Sequence, residues 1–372
     1  MSAAFDTIDH QILIERLSHT FGIRGSALDW ICSYLSDRTQ CIAIDDVKSE
    51  NRKLEFGVPQ GSVLGPRKYC MYTRPVGEIA KQHRMLYHTY ADDTQAYNIL
   101  EAPSNWSGTS NQIISCVEAL HKWMNSNMLK MNQDKFELIL FHPNTHKIDL
   151  QNFNISIDNH LFIPSDHVKN LGVIQDKCLT MEKHVSSVVR SCYHQLRCVG
   201  RIREYITTDA CRSLIQSTVT SRLDYCNVLL HNLPKNLLNR LQLVQNSCAR
   251  LITGTRRHEH ITPVLIELHW LPVESRIRYK VLLHTFKALK GQAPDYLCDL
   301  VKKYKPTRTL RSSSKALLTV PSYRTETYGS RSFRVAAPVL WNSVSHELRT
   351  APTLRCFKKI LKTYLFKEAY NL

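Results

Sequence analysis

The chain has 372 residues, 43% hydrophobic and 22% charged, the ordinary balance of a globular protein with length for two or three domains. No stretch is apolar enough to span a bilayer, and the first ten residues, with Asp6, Asp9 and His10, lack the pattern of a signal peptide. The twelve cysteines include no Cys-x-x-Cys pair, which speaks for buried or idle thiols in a reducing compartment and against a zinc site or a disulfide framework.

The net charge of +17 is unevenly placed: residues 1–185 hold 18 Lys and Arg against 21 Asp and Glu, and residues 186–372 hold 31 against 11. The first half therefore carries the carboxylates and the second half the counter-charge for a polyanion. Nucleic acid is the natural polyanion, because each neutralised phosphate releases a counterion.

In chain order, Ile12, Leu13, Leu17 and Phe21 recur at helical spacing, with Gly22 and Gly25 ending the helix. A second helix is predicted over 26–35. Residues 40–57 alternate like a hairpin, one strand at 41–44 and the other at 53–56. Phe56-Gly57-Val58-Pro59-Gln60-Gly61-Ser62-Val63-Leu64-Gly65-Pro66 follows, a loop in which the glycines permit close backbone approach and Gln60 offers both donor and acceptor. A helix over about 62–83 would set this loop at a helix N-terminus, where phosphate is favoured; a purely structural turn fits equally well.

Residues 86–93, Leu-Tyr-His-Thr-Tyr-Ala-Asp-Asp, read as a strand running into a turn with two adjacent carboxylates, Asp92 and Asp93. Two such groups repel one another, so a fold that holds them together usually places a cation between them, and magnesium prefers such oxygen ligands. A return strand is predicted over 94–99, an amphipathic helix over 109–128, and a loop over 129–141 leading into a buried strand. Strands near 152–157 and 160–163 should pair. One further strand is predicted from Val168 to Ile174. Beyond about 180 the pattern becomes helical, with apolar stripes over 236–252 and 354–366, and residues 303–330 read as a long polar loop. The fold class is α+β, with a helical second half.

Taken in order, these segments resemble the reverse transcriptases of non-LTR retrotransposons, and are most similar to the jockey-like and chicken-repeat-like group. Residues 2–10 are similar to the tail of motif A, Phe56 to Pro66 to motif B, Tyr90-Ala91-Asp92-Asp93 to motif C, Lys130 to Phe141 to motif D, and Leu171-Gly172-Val173 to the primer-grip region. Ser221-Arg222-Leu223-Asp224-Tyr225-Cys226-Asn227 and His269-Trp270-Leu271-Pro272 resemble the region beyond the polymerase. The resemblance implies a right-hand polymerase palm with an antiparallel sheet over 1–178, a helical thumb-like region over 179–255 and a basic helical region over 256–372. It also implies nucleotidyl transfer with Mg²⁺ or Mn²⁺, on deoxynucleotides, an RNA template and a DNA primer. No membrane or defined protein partner is implied, and the element's cycle implies the nucleus and cytoplasm. By the same resemblance Asp92 and Asp93 are the catalytic metal ligands, Lys135 protonates the leaving pyrophosphate, and Phe5 screens the sugar 2′ position. Gln60 and Gly61 touch nucleotide and template, and Leu171 and Gly172 seat the primer end.

Three departures from the pattern are visible. The motif A aspartate falls immediately before Met1, so the expectation is an N-terminally truncated polymerase that is inactive as it stands. Arg67 and Lys68 stand where apolar residues are expected after motif B, so they must snorkel, pair or weaken that helix. Phe136 replaces the threonine that follows the motif D lysine. The alternatives are a polymerase fragment of weak activity with Asp6 or Asp9 standing in, a non-catalytic nucleic-acid-binding remnant, and a retroelement translation without function.

Overall fold

A computed structural model of the chain describes residues 5–59, 61–99, 106–142, 155–157, 160–305 and 316–372. The architecture is mixed helix and strand, in two compact units: residues 1–138 with 148–165, and residues 139–147 with 166–372.

In the first unit, α1 (His10–His19) opens with Asp9, whose carboxylate accepts from the Ile12 amide at 2.9 Å and so satisfies one of the donors left open at a helix start. Helix α2 (Ser26–Leu35) has the predicted bounds. The segment after it corrects the sequence reading. Instead of one hairpin joining 41–44 to 53–56, β1 (Thr39–Gln40) pairs with β4 (Arg52–Lys53), and β2 (Ala43–Ile44) pairs with β3 (Val47–Lys48) inside it. All four strands are exposed, so no buried face fixes a longer register.

The single helix expected over 62–83 is two, α3 (Gly65–Thr73) and α4 (Pro75–Gln82), because Pro75 has no amide to continue the ladder. Strands β5 (Leu86–Tyr90) and β6 (Asp93–Tyr97) form the expected hairpin, and α5 (Trp106–Ser126) buries Cys116, Val117, Leu120 and Met124. Residues 136–141 form no strand, contrary to expectation. Phe136 and Leu138 instead pack beside the hairpin of β7 (Ile155–Ile157) and β8 (His160–Phe162), where Ile155 and Ile157 meet Val117 of α5. Arg16 ties α1, α3 and α5 together: it donates to the Tyr72 carbonyl and to Asn127 Oδ1 (2.6 Å), and lies over the Tyr72 and Trp123 rings.

In the second unit the expected strand 168–174 is a hairpin, β9 (His167–Asn170) and β10 (Val173–Asp176). Leu171 and Gly172 form its two-residue turn, with φ of 44° and 84°; a glycine accepts this backbone at no steric cost. Asp176 then accepts from the amides of Cys178, Thr180 and Met181 and starts α6 (Glu182–Arg201). Helices α7 (Thr208–Ile215), α8 (Ser221–Asp224), α9 (Lys235–Thr253) and α10 (Thr262–Glu267) follow, and Val185, Cys192, Cys211, Ile215, Leu241, Val244 and Ile252 form a common core. A second core forms among α11 (Val273–Leu289), α12 (Asp295–Cys298), α13 (Phe333–Ser343), α14 (His346–Arg349) and α15 (Leu354–Tyr370). At its centre Phe286 stacks on Phe357 at 4.4 Å, with Trp341 at 6.0 Å from the latter.

Among the described residues the strands form five separate two-stranded antiparallel ladders, and no helix is long and apolar enough to cross a membrane. Part of the predicted loop 303–330, from 306 to 315, lies outside the described residues. His258-Glu259-His260 is exposed, in a turn.

Candidate active site

The site is assembled from three backbone segments of the first unit. The strand-like stretch before α1 pairs with the start of the glycine loop: the Val58 amide donates to the Phe5 carbonyl (2.9 Å), the Gly57 amide to the Ile8 carbonyl (2.7 Å), and Asp9 bridges Phe56. His10 Nε2 completes the join at 2.7 Å from the Gly57 carbonyl. Gly57 is required here. Its φ is +89°, and a Cβ would sit 2.9 Å from the Phe5 carbonyl oxygen and from Asp6 Cα.

Beyond this join the loop turns back to start α3, with Ser62 Oγ accepting from the Gly65 amide at 3.0 Å. Helix α3 thus begins at Gly65 rather than 62, and Pro66 removes one of its first donors, so the expected phosphate-binding N-terminus is weaker than the sequence suggested. Gly61 is exposed, with φ +79° and open space around its Cα. Gln60 lies outside the described residues.

Helix α3 buries Tyr69 completely, and the Phe5 ring packs on it at 4.8 Å. The Tyr69 hydroxyl is pushed well above its ordinary range, first by burial and then by the negative charge of Asp92. Tyr69 therefore packs on the predicted Phe5 and lies within range of the Asp92 charge. Sequence reading passed over it, because a tyrosine at a helical core position carries no signal of its own.

Asp92 and Asp93 sit at the tip of the β5–β6 hairpin. Tyr90 pairs with Asp93 across a two-residue turn, Ala91-Asp92, in which Ala91 has φ 51°. Asp92 is half-buried and Asp93 is exposed. The hairpin is fixed from below: Tyr87 lies so close to α4 that a Cβ on Gly77 would be 2.3 Å from its hydroxyl oxygen. An open cleft of about 530 Å³ runs beside it, lined by Tyr87, Thr89 and Ala91 on one wall and by Pro66, Cys70 and Arg74 on the other.

Lys135 ends a short 3-10 turn (Gln133–Lys135) and is exposed. Phe136, in place of the threonine, is half-buried against Phe162 at 4.6 Å. Leu171 and Gly172 belong to the second unit, at the exposed tip of β9–β10.

The hard carboxylate oxygens of Asp92 and Asp93 suit a divalent cation as part of its ligand set. Among the described residues no group of three His, Cys, Asp or Glu side chains is gathered to hold one. Asp9, a stand-in by sequence, caps α1 through Oδ1, and Asp6 is exposed beside Gly57.

Lys68 resolves differently from Arg67. Arg67 is exposed, while Lys68 is 4% exposed, its Nζ 3.3 Å from the centre of the Tyr34 ring and 5.8 Å from that of Trp30, with no hydrogen-bond acceptor. Burial, aided by Arg38, brings its pKa down to about 8. The aromatic faces take the place of an anion.

Residues 1–175 match the model of the family described as reverse transcriptase (RNA-dependent DNA polymerase). The probable RNA-directed DNA polymerase from transposon BS of Drosophila melanogaster is 29% identical over 290 residues, covering 74% of this chain and 31% of that protein. The chain is similar in sequence to the RNA-directed DNA polymerases of transposable elements. The RNA-directed DNA polymerase from mobile element jockey of D. melanogaster is 24% identical over 260 residues, 68% of this chain and 27% of that protein. The probable polymerase from transposon X-element of the same fly is 26% identical over 267 residues, with 68% and 27% covered. The chain thus spans less than a third of the length of these reverse transcriptases.

Proposed function

We propose that this chain carries the palm and the following helical regions of an RNA-directed DNA polymerase, with the palm over 1–178, a thumb-like region over 179–255 and a basic C-terminal region over 256–372. The observation that carries this reading is the joining of the three motifs: the motif A tail packs Phe5 on Tyr69 of α3, the motif B loop is hydrogen-bonded to that tail, and the motif C hairpin lines the same cleft as α3. Three segments far apart in sequence meet where a nucleotide's sugar, base and phosphates would lie.

In this reading Asp92 and Asp93 hold Mg²⁺, or Mn²⁺ in its place, which when bound stabilises the attacking and departing oxygens of nucleotidyl transfer. Phe5 occupies the 2′ side of the sugar and selects deoxynucleotides. Gln60 and Gly61 line the nucleotide and template. Lys135, on an exposed turn, supplies a proton to pyrophosphate. Leu171 and Gly172 seat the primer end. The excess of Lys and Arg beyond residue 186, including the exposed Arg355, Lys358, Lys359 and Lys362 on one side of α15, neutralises backbone phosphates of an RNA–DNA duplex without reading its sequence. The protein works where the element's RNA and chromosomal primers occur, in cytoplasm and nucleus.

In the motif A pattern that the resemblance implies, a third carboxylate belongs at the position before Met1. Asp9 is committed to its helix cap, so the polypeptide of residues 1–372 tested by itself is proposed to extend primers poorly or not at all. A second reading, a nucleic-acid binder without catalysis, is favoured by the charge of residues 186–372 alone. Replacing Mg²⁺ by Fe²⁺ and generating hydroxyl radicals separates the two. Polymerase geometry predicts backbone cleavage near 92–93 that Asp92→Asn removes; duplex binding without such cleavage supports the second reading.

A further inference from the structure

The run Ser221 to Asn227 has no part in the site described above, yet it reaches the turn assigned to the primer. Tyr225 follows α8, and its hydroxyl donates to the Leu171 carbonyl at 2.6 Å, a bond spanning 54 residues of sequence. Its ring lies along Gly172, with Cε1 3.5 Å from where a Cβ would stand. The turn it holds is otherwise poorly supported. Leu171 and Gly172 are exposed at the hairpin tip, and Leu171, at φ 44°, keeps a backbone that L residues seldom adopt.

The tyrosine itself is held on both sides. Before it, Asp224 accepts from Arg276 of α11 through both carboxylate oxygens, Nε to Oδ1 at 2.9 Å, and from Asn227 Nδ2 at 3.4 Å. Such a two-pronged guanidinium–carboxylate pair fixes direction as well as distance. After it, Cys226 turns the chain at φ 50°. Yet Tyr225 is 52% exposed, so burial in a core is not what fixes its place. The arrangement is a rigid post that rises from the helical core and fastens an exposed, strained turn.

We propose that Tyr225 is a positioning residue that latches the Leu171-Gly172 turn in the conformation that seats the primer 3′ end. This rests on the reading of that turn as the primer seat, and the test keeps the two apart. The full chain and Tyr225→Phe, which retains the ring and removes only the hydroxyl, are compared in two measurements. The first is amide hydrogen exchange of residues 167–176. The second is the fluorescence of 2-aminopurine at the primer 3′ end of an RNA–DNA duplex, alongside overall duplex affinity by anisotropy.

Losing one hydrogen bond of ordinary strength should speed exchange around Leu171–Val173 about fivefold. It should also change the environment of the terminal base, with duplex affinity within twofold of the parent. Unchanged exchange would overturn the latch. Faster exchange with an unchanged terminal signal would overturn the link to the primer and, with it, the reading of the turn as the primer seat. A parent chain that binds no duplex would overturn that link too, while exchange would still report on the latch.

Discussion

Gly77→Ala separates two effects of opposite sign. In an exposed helix interior the change stabilises by about 1 kcal/mol, because alanine loses less backbone freedom on folding. At Gly77, however, the new methyl would stand 2.3 Å from the Tyr87 hydroxyl oxygen, 2.4 Å from Cζ and 2.6 Å from Cε2, all far inside contact distance. Overpacking of this kind costs about 1–3 kcal/mol, since β5 must lift from α4 or Tyr87 must leave its rotamer. The expected net result is a loss of up to about 2 kcal/mol in urea unfolding followed by circular dichroism. In a Tyr87→Ala background the obstacle is gone, and the same substitution should stabilise by about 1 kcal/mol, so the coupling between the two positions should be about 1–3 kcal/mol. The hairpin carrying Asp92 and Asp93 is the part displaced. If Gly77→Ala raises stability in both backgrounds, Tyr87 does not pin the hairpin, and the account of how Asp92 is held fails.

Two further outcomes follow from buried groups. Lys68 has its pKa lowered to about 8 in the fold against an unfolded value of about 10.4, so the folded state disfavours the charged form. The penalty is fully present below about pH 8 and is relieved as pH rises toward the unfolded value. Stability measured by urea unfolding should therefore rise from pH 8 to 10 in the parent relative to Lys68→Met, and parallel pH profiles would show that Lys68 is not desolvated in the fold. Among the cysteines, burial pushes the Cys192 thiol up to about 11 and Cys248 up to about 12, whereas Cys41, Cys70, Cys198, Cys226 and Cys356 are exposed. A thiol-specific reagent should label the exposed group within minutes and reach Cys192 and Cys248 only on unfolding; early labelling of Cys248, mapped by mass spectrometry, would show that the α6–α9 core is open.

How much could be read in advance depended on whether the deciding interaction was local. Helices α1 and α2, the stripes of α5, α9 and α15, and the β5–β6 hairpin were legible, because apolar spacing and turn residues set them within a few positions. The division of 62–83 at Pro75 was also local, and a proline inside a helical pattern was the signal to heed. The Leu171-Gly172 turn was harder, since Val168 to Ile174 alternates only weakly and leucine rarely takes positive φ; the hairpin depends on Tyr225, more than fifty residues away. Asp92, Asp93 and Phe5 were singled out through the order of motifs. Tyr69, which packs on Phe5, and Gly77 and Tyr87, which set the hairpin against α4, are ordinary residues whose importance comes from what lies across the fold. Lys68 illustrates the same limit: Tyr34 and Trp30 wait for it on α2, one helix away.

The central claim, that Asp92 belongs to a polymerase site, is tested most directly by primer extension on an RNA template with Mg²⁺ and then Mn²⁺. Three polypeptides are needed: residues 1–372, a version carrying an aspartate and the family's preceding segment ahead of Met1, and that version with Asp92→Asn. The account predicts DNA synthesis by the second alone, with loss of at least about a hundredfold in the third, the scale expected when a charge-stabilising group is removed from a reacting centre. Extension that survives Asp92→Asn unchanged would contradict it.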